Sequence, residues 1–296
     1  MIDLRPLRRE AHPLFERFLA ETGAPLSAYS LISHHLWQDH FSFQWAVYQE
    51  HLLLFATYDR CVYMPLPPLG FPDRQVVLDC FEWMDRKNPT RSISRIENIP
   101  EAECSFYREC GLTVEPKAPE YLYRRQALSD LKGDRYKSPR AACNQFQKRY
   151  NPVDRPYRSS DGAGATSLFE KWARERTERN LDPVYRQMLC DAEPVHRRAF
   201  VEAEALGLVG RVIEVSGELV GYTLGFPLDR ETFCIFLEAT HPEFKGASAF
   251  LFRAFCRTLI PYTWINAMDD SGIPSLRRTK ESYHPERKLI CALARR

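Results

Sequence analysis

Residues 262–290 read YTWINAMDDSGIPSLRRTKESYHPERKLI, and this stretch places an apolar segment directly before a polar loop and a basic helix. Residues 262–268 are aromatic and β-branched, which predicts a buried strand. Residues 269–274 contain Asp, Ser, Gly and Pro, which break the strand and open a loop. Residues 275–282 predict a short helix capped by its first serine, and residues 288–294 predict a final strand.

Fixed-geometry polar groups cluster around the carboxyl end of this strand, where open α/β sheets tend to place their ligand sites. We predict a substrate site there, and its candidate residues are Asn266, Asp269, Asp270, Arg277 and Lys280. The two cations are three residues apart and share one helix face, so they could bind a phosphate or a carboxylate together. Two alternatives remain open: a solvated surface, and a structural clamp between these cations and the two acids.

Composition bounds the class of protein. The chain has 296 residues, of which 44% are hydrophobic and 27% charged, with a net charge of +2, as in ordinary globular proteins. No global basic field demands a nucleic-acid partner. The cysteines number nine, and none lies in a C-x-x-C pair, so we interpret them as reduced core thiols and predict no metal site.

The chain shows no apolar signal core at its start, and no apolar run approaches the ~18 residues that a membrane span needs. We therefore expect a soluble, cytoplasmic protein without a transmembrane segment. A role at the surface of a membrane stays open.

The predicted elements follow a similar order in the two halves of the chain. The first half reads helices, a β-meander, helix, strand, helix and strand, and the second reads two helices, a β-hairpin, strand, helix, strand, helix and strand. Residues 152–164 are rich in Pro, Ser, Asp and Gly, which predicts a linker. We predict an α/β (α+β) protein of two units, residues 1–155 and 156–296, each with a mixed, mostly antiparallel sheet flanked by helices.

Residues 132–149 form a basic segment in which six Lys and Arg accompany one acid, and aromatic side chains are interleaved. This pattern is typical of a surface that faces phosphate or RNA. It is equally typical of an amphipathic connecting helix, because Cys143, Phe146 and Tyr150 recur at the spacing of a core-facing stripe.

The order of elements resembles the GNAT acyltransferase fold. In that fold, the loop between the central strand and the next helix holds the pyrophosphate of acyl-coenzyme A on backbone N–H groups. Here the predicted central strand is residues 232–239, and Lys245, Gly246 and Ala247 occupy the loop. The resemblance implies that these three residues bind the cofactor part of a donor.

Two stretches resemble a narrower group, the phosphatidylglycerol lysyltransferase C-terminal family, whose members carry two GNAT-like halves. The residues that carry this resemblance are Tyr121-Leu122-Tyr123, Leu131-Lys132-Gly133, Tyr136, Arg140, Asn144, Phe146 and Tyr150, then Ile265-Asn266, Asp270, Gly272, Leu276-Arg277, Lys280, Ser282-Tyr283 and Pro285. The resemblance implies transfer of an acyl or aminoacyl group, from acyl-coenzyme A or aminoacyl-tRNA, to an amine or hydroxyl such as a lipid head group. It implies no tightly bound cofactor, and it names tRNA, acyl-coenzyme A and an anionic lipid as partners.

Such a reaction needs a proton acceptor and a proton donor. Glu238, at the end of the central strand, is the candidate base, with a paired structural acid as the alternative. Tyr283 is the candidate donor to the leaving group, with a packed anchor as the alternative. Arg140 and Asn144 are candidate substrate-binding residues.

A rival interpretation of the whole chain is a non-catalytic ligand-binding module that keeps the fold. It is favoured by Pro139-Arg140-Ala141, which stands where the family usually shows Lys-Arg-Asn. A nucleic-acid binder that uses the basic segment is a third interpretation, and the small net charge argues against it.

Overall fold

The computed structural model describes residues 2–296, a mixed arrangement of helices and strands. The α-helices are α1 (His12–Thr22), α2 (Leu31–Leu36), α3 (Arg74–Lys87), α4 (Cys104–Glu109), α5 (Arg125–Asp130), α6 (Lys137–Tyr150), α7 (Gly162–Arg179), α8 (Pro183–Glu202), α9 (Ala247–Thr258) and α10 (Pro274–Glu281). The strands are β1 (Arg5–Pro6), β2 (Ser42–Tyr48), β3 (His51–Tyr58), β4 (Cys61–Tyr63), β5 (Arg95–Pro100), β6 (Thr113–Pro116), β7 (Glu120–Arg124), β8 (Val153–Pro156), β9 (Val209–Val215), β10 (Glu218–Pro227), β11 (Thr232–Thr240), β12 (Trp264–Asn266), β13 (Arg287–Leu289) and β14 (Cys291–Arg295).

The chain forms two compact units. The first contains the chain up to Glu120 together with Leu289–Arg296, and the second is Tyr121–Lys288. This division differs from the predicted boundary at residue 155. The predicted linker, residues 152–164, forms β8 and the beginning of α7 inside the second unit.

The reason lies in β8 itself. Proline is tolerated at a sheet edge, and β8 pairs antiparallel with β9 at the edge of the sheet. Arg155 fastens the strand, because its guanidinium donates to both carboxylate oxygens of Asp161 at 2.8 Å and also contacts Glu214. The Pro- and Gly-rich stretch is therefore held in place by its pairing with β9 and by Arg155.

The second unit is built on a seven-stranded sheet in the order β13-β7-β12-β11-β10-β9-β8. Strands β9, β10 and β11 pair antiparallel, whereas β11 and β12 pair parallel. The mixed, mostly antiparallel sheet predicted from the sequence is thus confirmed for this unit.

The pairing of β11 with β12 is short, and this opens the sheet. It joins Thr232, Phe233 and Cys234 to the three residues of β12. Beyond Cys234, and within residues 2–296, the carboxyl half of β11 pairs with β10 alone. The sheet therefore splays beside the end of β11.

Helix α9 covers one face of this sheet with an apolar stripe. Leu251 and Phe255 of α9 are fully buried, and Phe255 packs edge-on against Phe233 of β11 with ring centroids 5.5 Å apart. Burial of such side chains contributes about 1.5–3 kcal/mol each. Helix α6 packs Cys143 and Phe146 inward, so the basic segment is the amphipathic helix of the second interpretation above.

The first unit contains a four-stranded sheet, β1-β2-β3-β4, and a three-stranded sheet, β5-β14-β6. Its element order, two helices, antiparallel strands, helix, strand, helix and strand, matches that of the second unit. The single final strand predicted over residues 288–294 is two strands, and β13 and β14 join different sheets. Among residues 2–296, none of the helices has both the length and the apolar character of a membrane-spanning segment.

Candidate active site in the second unit

A cavity of about 370 Å³ lies where the chain leaves β11 and enters α9. Its walls are the carboxyl end of α7, the β11–α9 loop, the first turn of α9 and the beginning of α10. The lining residues that matter for its chemistry are Arg176, Arg179, His241, Lys245, Gly246 and Ser248.

The first turn of α9 offers hydrogen-bond donors to this cavity. The N–H of Ala247 is bonded to the carbonyl of Phe244 at 3.0 Å, but no carbonyl in residues 2–296 accepts from the N–H groups of Ser248 and Ala249. Free amides at the positive end of a helix dipole favour anions. The predicted cofactor loop therefore has the chemistry of an anion site.

Cations of the cavity wall add to this preference. Arg176, Arg179 and Lys245 are exposed there, and Glu175 is the carboxylate among the lining residues. Arg179 pairs with Glu175 across one helical turn, whereas Arg176 lies over the ring of Trp172 at 5.3 Å. The wall has a net positive charge.

Gly246 is required by the shape of the loop. Its φ is +91°, and a Cβ atom there would lie 2.7 Å from the carbonyl oxygen of Ala142. A side chain would push the loop away from α6 and misplace the first turn of α9.

We expect Gly246→Ala to lower the free energy of unfolding by about 2–3 kcal/mol, because it combines strain at positive φ with a steric clash. Gly217→Ala is the matched control, since Gly217 has a φ of +84° and open space around it. That change should cost only about 1 kcal/mol. Urea denaturation of both variants measures the difference, and equal losses would show that the loop tolerates a side chain.

Glu238 lies on the splayed part of β11 and is connected to the cavity through Ser248. The Ser248 hydroxyl donates to Oε1 of Glu238 at 2.8 Å. Burial raises the pKa of Glu238 to about 7, although the Ser248 bond and the nearby Lys280 charge act in the opposite direction. A carboxyl group that titrates near neutrality suits a general base.

Thr223 stands directly opposite Glu238 on β10. Its side chain is fully buried, and its hydroxyl has no hydrogen-bond partner among residues 2–296. Strand register places Thr223 beside Glu238, but the side chain that is hydrogen-bonded to the carboxyl of Glu238 is Ser248 of α9.

Tyr283 packs against α9, where its ring meets that of Phe252 edge-on at 5.0 Å. Burial raises the pKa of Tyr283 far above its usual value, and the carboxylate of Glu238 acts in the same direction. The phenol is thus held in its protonated form, the same shift makes it a weaker acid, and Tyr283 is not among the residues that line the cavity.

Asp270 is the centre of a closed cluster. It is fully buried, and it accepts hydrogen bonds from the Tyr121 hydroxyl at 2.6 Å, Arg277 Nε at 2.9 Å and the Gly272 amide at 2.9 Å. Burial alone would raise the pKa of Asp270, but these partners outweigh it and lower the pKa below its usual value. These contacts correspond to the structural clamp, the alternative left open by the sequence.

The other candidates near β12 also bond within the protein. Asn266 is fully buried, and its Oδ1 accepts from the Met268 amide at 2.7 Å. Lys280 Nζ donates to the carbonyls of residues 267 and 268, and Asp269 caps the Ser271 amide at 2.8 Å. None of these side chains lines the cavity, to which this region contributes residues 273 and 275.

Arg140 and Asn144 lie on α6. Arg140 Nη1 donates to the carbonyls of Leu131 and Gly133, at 2.5 and 2.8 Å, and so holds the turn that follows α5. Asn144 is exposed. The contacts of Arg140 therefore stabilise this turn, and neither Arg140 nor Asn144 lines the cavity.

The structure thus brings together one part of the predicted site. Lys245 and Gly246 line the cavity, Ala247 opens α9 beneath it, and Glu238 adjoins it through Ser248. Sequence reasoning missed Arg176, Arg179 and His241. The one available signal was the two arginines at the end of a capped helix, a pattern that also describes many solvated helix ends.

The family follows from a comparison of the sequence with family models. The model described as "Phosphatidylglycerol lysyltransferase, C-terminal" matches residues 24–291. The chain belongs to this family. A search of curated proteins found no match.

Solved structures similar to this family member agree on the fold. A conserved protein of unknown function from Bacteroides thetaiotaomicron VPI-5482 is 21% identical, with a TM-score of 0.88 over 100% of this chain and 99% of that one. The C-terminal domain of a putative lysylphosphatidylglycerol synthetase from Agrobacterium fabrum is 13% identical, with a TM-score of 0.68 over 97% and 91%. A tandem GNAT protein from the clavulanic acid biosynthesis pathway is 11% identical, with a TM-score of 0.54 over 100% and 98%. The predicted tandem GNAT-like fold is confirmed.

Proposed function

We propose that this chain is an acyl- or aminoacyltransferase whose phosphate-bearing donor binds at the N-terminus of α9. The observation that carries the proposal is the position of Glu238. A carboxyl group with a pKa of about 7 is hydrogen-bonded to Ser248, and Ser248 lines a basic cavity.

The donor end of the site suits a phosphate group. The free amides of Ser248 and Ala249 would donate hydrogen bonds to its oxygens, while Arg176, Arg179 and Lys245 would balance its charge. Acyl-coenzyme A and aminoacyl-tRNA both present an activated acyl group on a phosphate-bearing carrier. The cavity chemistry fits the feature that they share.

The transfer step then uses two side chains of this unit. The acceptor amine or hydroxyl attacks the acyl carbonyl carbon, and its proton passes to the carboxylate of Glu238. The tetrahedral intermediate collapses as the bond to the carrier breaks, and the departing sulfur or oxygen takes the phenolic proton of Tyr283. One bond forms, one breaks, and each proton has a stated origin and destination.

The name of the family points to the acceptor. It describes a lysyltransferase that acts on phosphatidylglycerol, and we propose an amine or a hydroxyl acceptor of the same kind, such as the head group of an anionic lipid. The site of action would be the cytoplasm, at the surface of the membrane, where charged tRNA and acyl-coenzyme A are both available.

A transfer assay with two donors tests the proposal. The chain is mixed with vesicles that contain phosphatidylglycerol, and either radiolabelled lysyl-tRNA or radiolabelled acetyl-coenzyme A is added. We expect label to enter the lipid fraction, or a soluble amine supplied alongside, with one of the donors. Binding of a donor without turnover would favour the non-catalytic module, and the absence of both binding and turnover would remove the proposal.

Replacing the cavity cations should weaken donor binding. We expect Arg179→Ala combined with Lys245→Ala to raise the Kd for the donor about tenfold or more, because each lost charge-assisted contact is worth about 1 kcal/mol or more. Arg174→Ala is the control, since Arg174 is exposed on the same helix but is not part of the lining. Isothermal titration with coenzyme A and with tRNA measures the Kd of each variant. An equal increase in Kd for the double variant and for Arg174→Ala would mean that the cations act only at long range.

A further inference from the structure

The first unit has a cavity of its own, about 170 Å³ in volume, at the place that corresponds to the candidate active site. In the second unit the cavity is formed by α7, the loop before α9 and the beginning of α10. The equivalent elements of the first unit are α1, α4 and the loop that precedes α3, and they form the cavity of that unit. The two cavities can therefore be compared element by element.

In the cavity of the first unit, a side chain of the protein already occupies the N-terminus of α3. The carboxylate of Asp73 caps α3 and accepts from the amides of Gln75 at 2.7 Å and Val76 at 3.2 Å. These donors are satisfied by the protein, in contrast to those of Ser248 and Ala249 in α9. A phosphate would meet a carboxylate here, so the N-terminus of α3 does not offer an anion site.

The charge of the lining is reversed as well. Glu21, Asp73 and Glu103 line the cavity, and neither lysine nor arginine does. Glu103 is half-buried, and its carboxylate has neither an ion pair nor a hydrogen bond within residues 2–296. Burial raises its pKa, the sign of a charge that lacks compensation. A cationic ligand would supply that compensation.

Aromatic side chains make up much of the remaining wall, namely Phe18, Tyr29, Phe71, Phe106 and Tyr107. Phe71, one of these lining residues, is 88% exposed. Aromatic faces attract organic cations, and aromatic rings together with a carboxylate are the usual recognition chemistry for ammonium groups. Within residues 2–296, no group of three or more His, Cys, Asp or Glu could hold a metal ion, which favours an organic cation.

The loop that frames this cavity is fixed before any ligand binds. The two ring nitrogens of His51 lie 2.5 Å from the carbonyl oxygens of Gln49 and Phe71. A Cβ atom on Gly70 would lie 2.8 Å from the same ring, so the loop is packed directly against it. Because the loop is already ordered, ligand binding carries only a small entropic cost for ordering it.

We propose that the first unit binds a small organic ammonium ion, with the Glu103 carboxylate and the aromatic rings as its recognition groups. The proposal goes beyond acyl transfer and stands without it. The two units would then use equivalent cavities for ligands of opposite charge, a phosphate in the second and an ammonium group in the first.

Calorimetric titration of the full chain tests this directly. Choline and propylammonium are the probes for quaternary and primary ammonium groups, and dimethylbutanol, the uncharged carbon isostere of choline, is the matched control ligand. We expect at least one ammonium ion to bind at least about tenfold more tightly than the isostere. The proposal is overturned if neither ion binds, or if the isostere binds equally well.

Two variants locate the site. Glu103→Gln keeps the shape of the side chain and should weaken binding of the ammonium ion about tenfold. Glu109 ends α4, the helix that begins directly after Glu103, and it is exposed and outside the cavity lining, so Glu109→Gln should leave the Kd unchanged. Equal Kd values for wild type and Glu103→Gln would overturn the assignment, and melting curves of both variants verify that the chain remains folded.

Discussion

Replacing Glu238 by glutamine is expected to lower the rate of transfer by about 10²–10⁴, the usual contribution of a general base. The amide has nearly the same shape, and it can still accept the hydrogen bond from Ser248, so the geometry of the site is retained. The group that takes the proton from the acceptor is lost. Initial rates at saturating donor, measured for wild type and Glu238→Gln, give the factor.

The pH dependence identifies the same group. Wild-type activity should rise as the carboxyl ionises, with a midpoint near its pKa of about 7, and the variant should lack that step. Ser248→Ala should move the midpoint to higher pH, because the Ser248 bond lowers the pKa of Glu238. Full activity of Glu238→Gln, with an unchanged profile, would exclude Glu238 as the base.

The free energy of unfolding should fall as pH rises, whereas activity should increase. The pKa of Glu238 is raised in the folded state, so its ionisation destabilises the fold as pH rises from the unfolded-state value of about 4.3 through about 7. Above that window Glu238→Gln should be at least as stable as wild type. An inactive variant that is also strongly destabilised at pH 8 would show that Glu238 is instead a paired structural acid.

Asp270→Ala is expected to lower the free energy of unfolding by about 3–4 kcal/mol. Asp270 is fully buried, and its removal strands the hydroxyl of Tyr121, which is itself 1% exposed. Asp269→Ala is the matched control, because Asp269 caps only a local turn, and it should cost about 1 kcal/mol or less. Chemical denaturation at pH 7 measures both.

A double-mutant cycle identifies the partner. Tyr121→Phe removes the other side of the hydrogen bond, so its effect combined with Asp270→Ala should be less than additive. The pKa of Asp270 is lowered in the folded state, and its contribution should therefore persist above about pH 4 and be lost as pH falls through the folded-state value. Additive losses would show that Tyr121 is not the partner of Asp270, and a stable Asp270→Ala that fails to bind donor would restore Asp270 as a substrate residue.

The sequence predicted elements better than it predicted which polar groups they expose. The resemblance to the GNAT fold pointed to Lys245, Gly246 and Ala247, and the cavity lies at this loop, whereas the sequence pattern itself placed the substrate site at the end of β12. The polarity around Asp270 predicted a substrate site, whereas in the structure its carboxylate accepts hydrogen bonds from Tyr121, Arg277 and Gly272. A buried acid and a substrate-binding acid have the same local sequence, and the difference lies in Tyr121, 149 positions away.

The linker prediction failed for a similar reason. Residues 152–164 have the composition of a loop, but β8 within them is an edge strand, which tolerates proline and needs only one neighbour. That neighbour, β9, lies more than fifty residues along the chain, as does Glu214, which contacts Arg155. Long-range pairing of this kind leaves no periodic signal in one sequence.

The central claim is that a phosphate-bearing donor binds at the N-terminus of α9, and amide NMR tests it most directly. Coenzyme A, or an RNA minihelix that ends in CCA, is titrated into isotope-labelled protein. We expect the largest changes at the amides of Ser248 and Ala249, which have no acceptor in residues 2–296. Saturable binding of either carrier that leaves these two amides unchanged, or binding of neither carrier, would contradict the account.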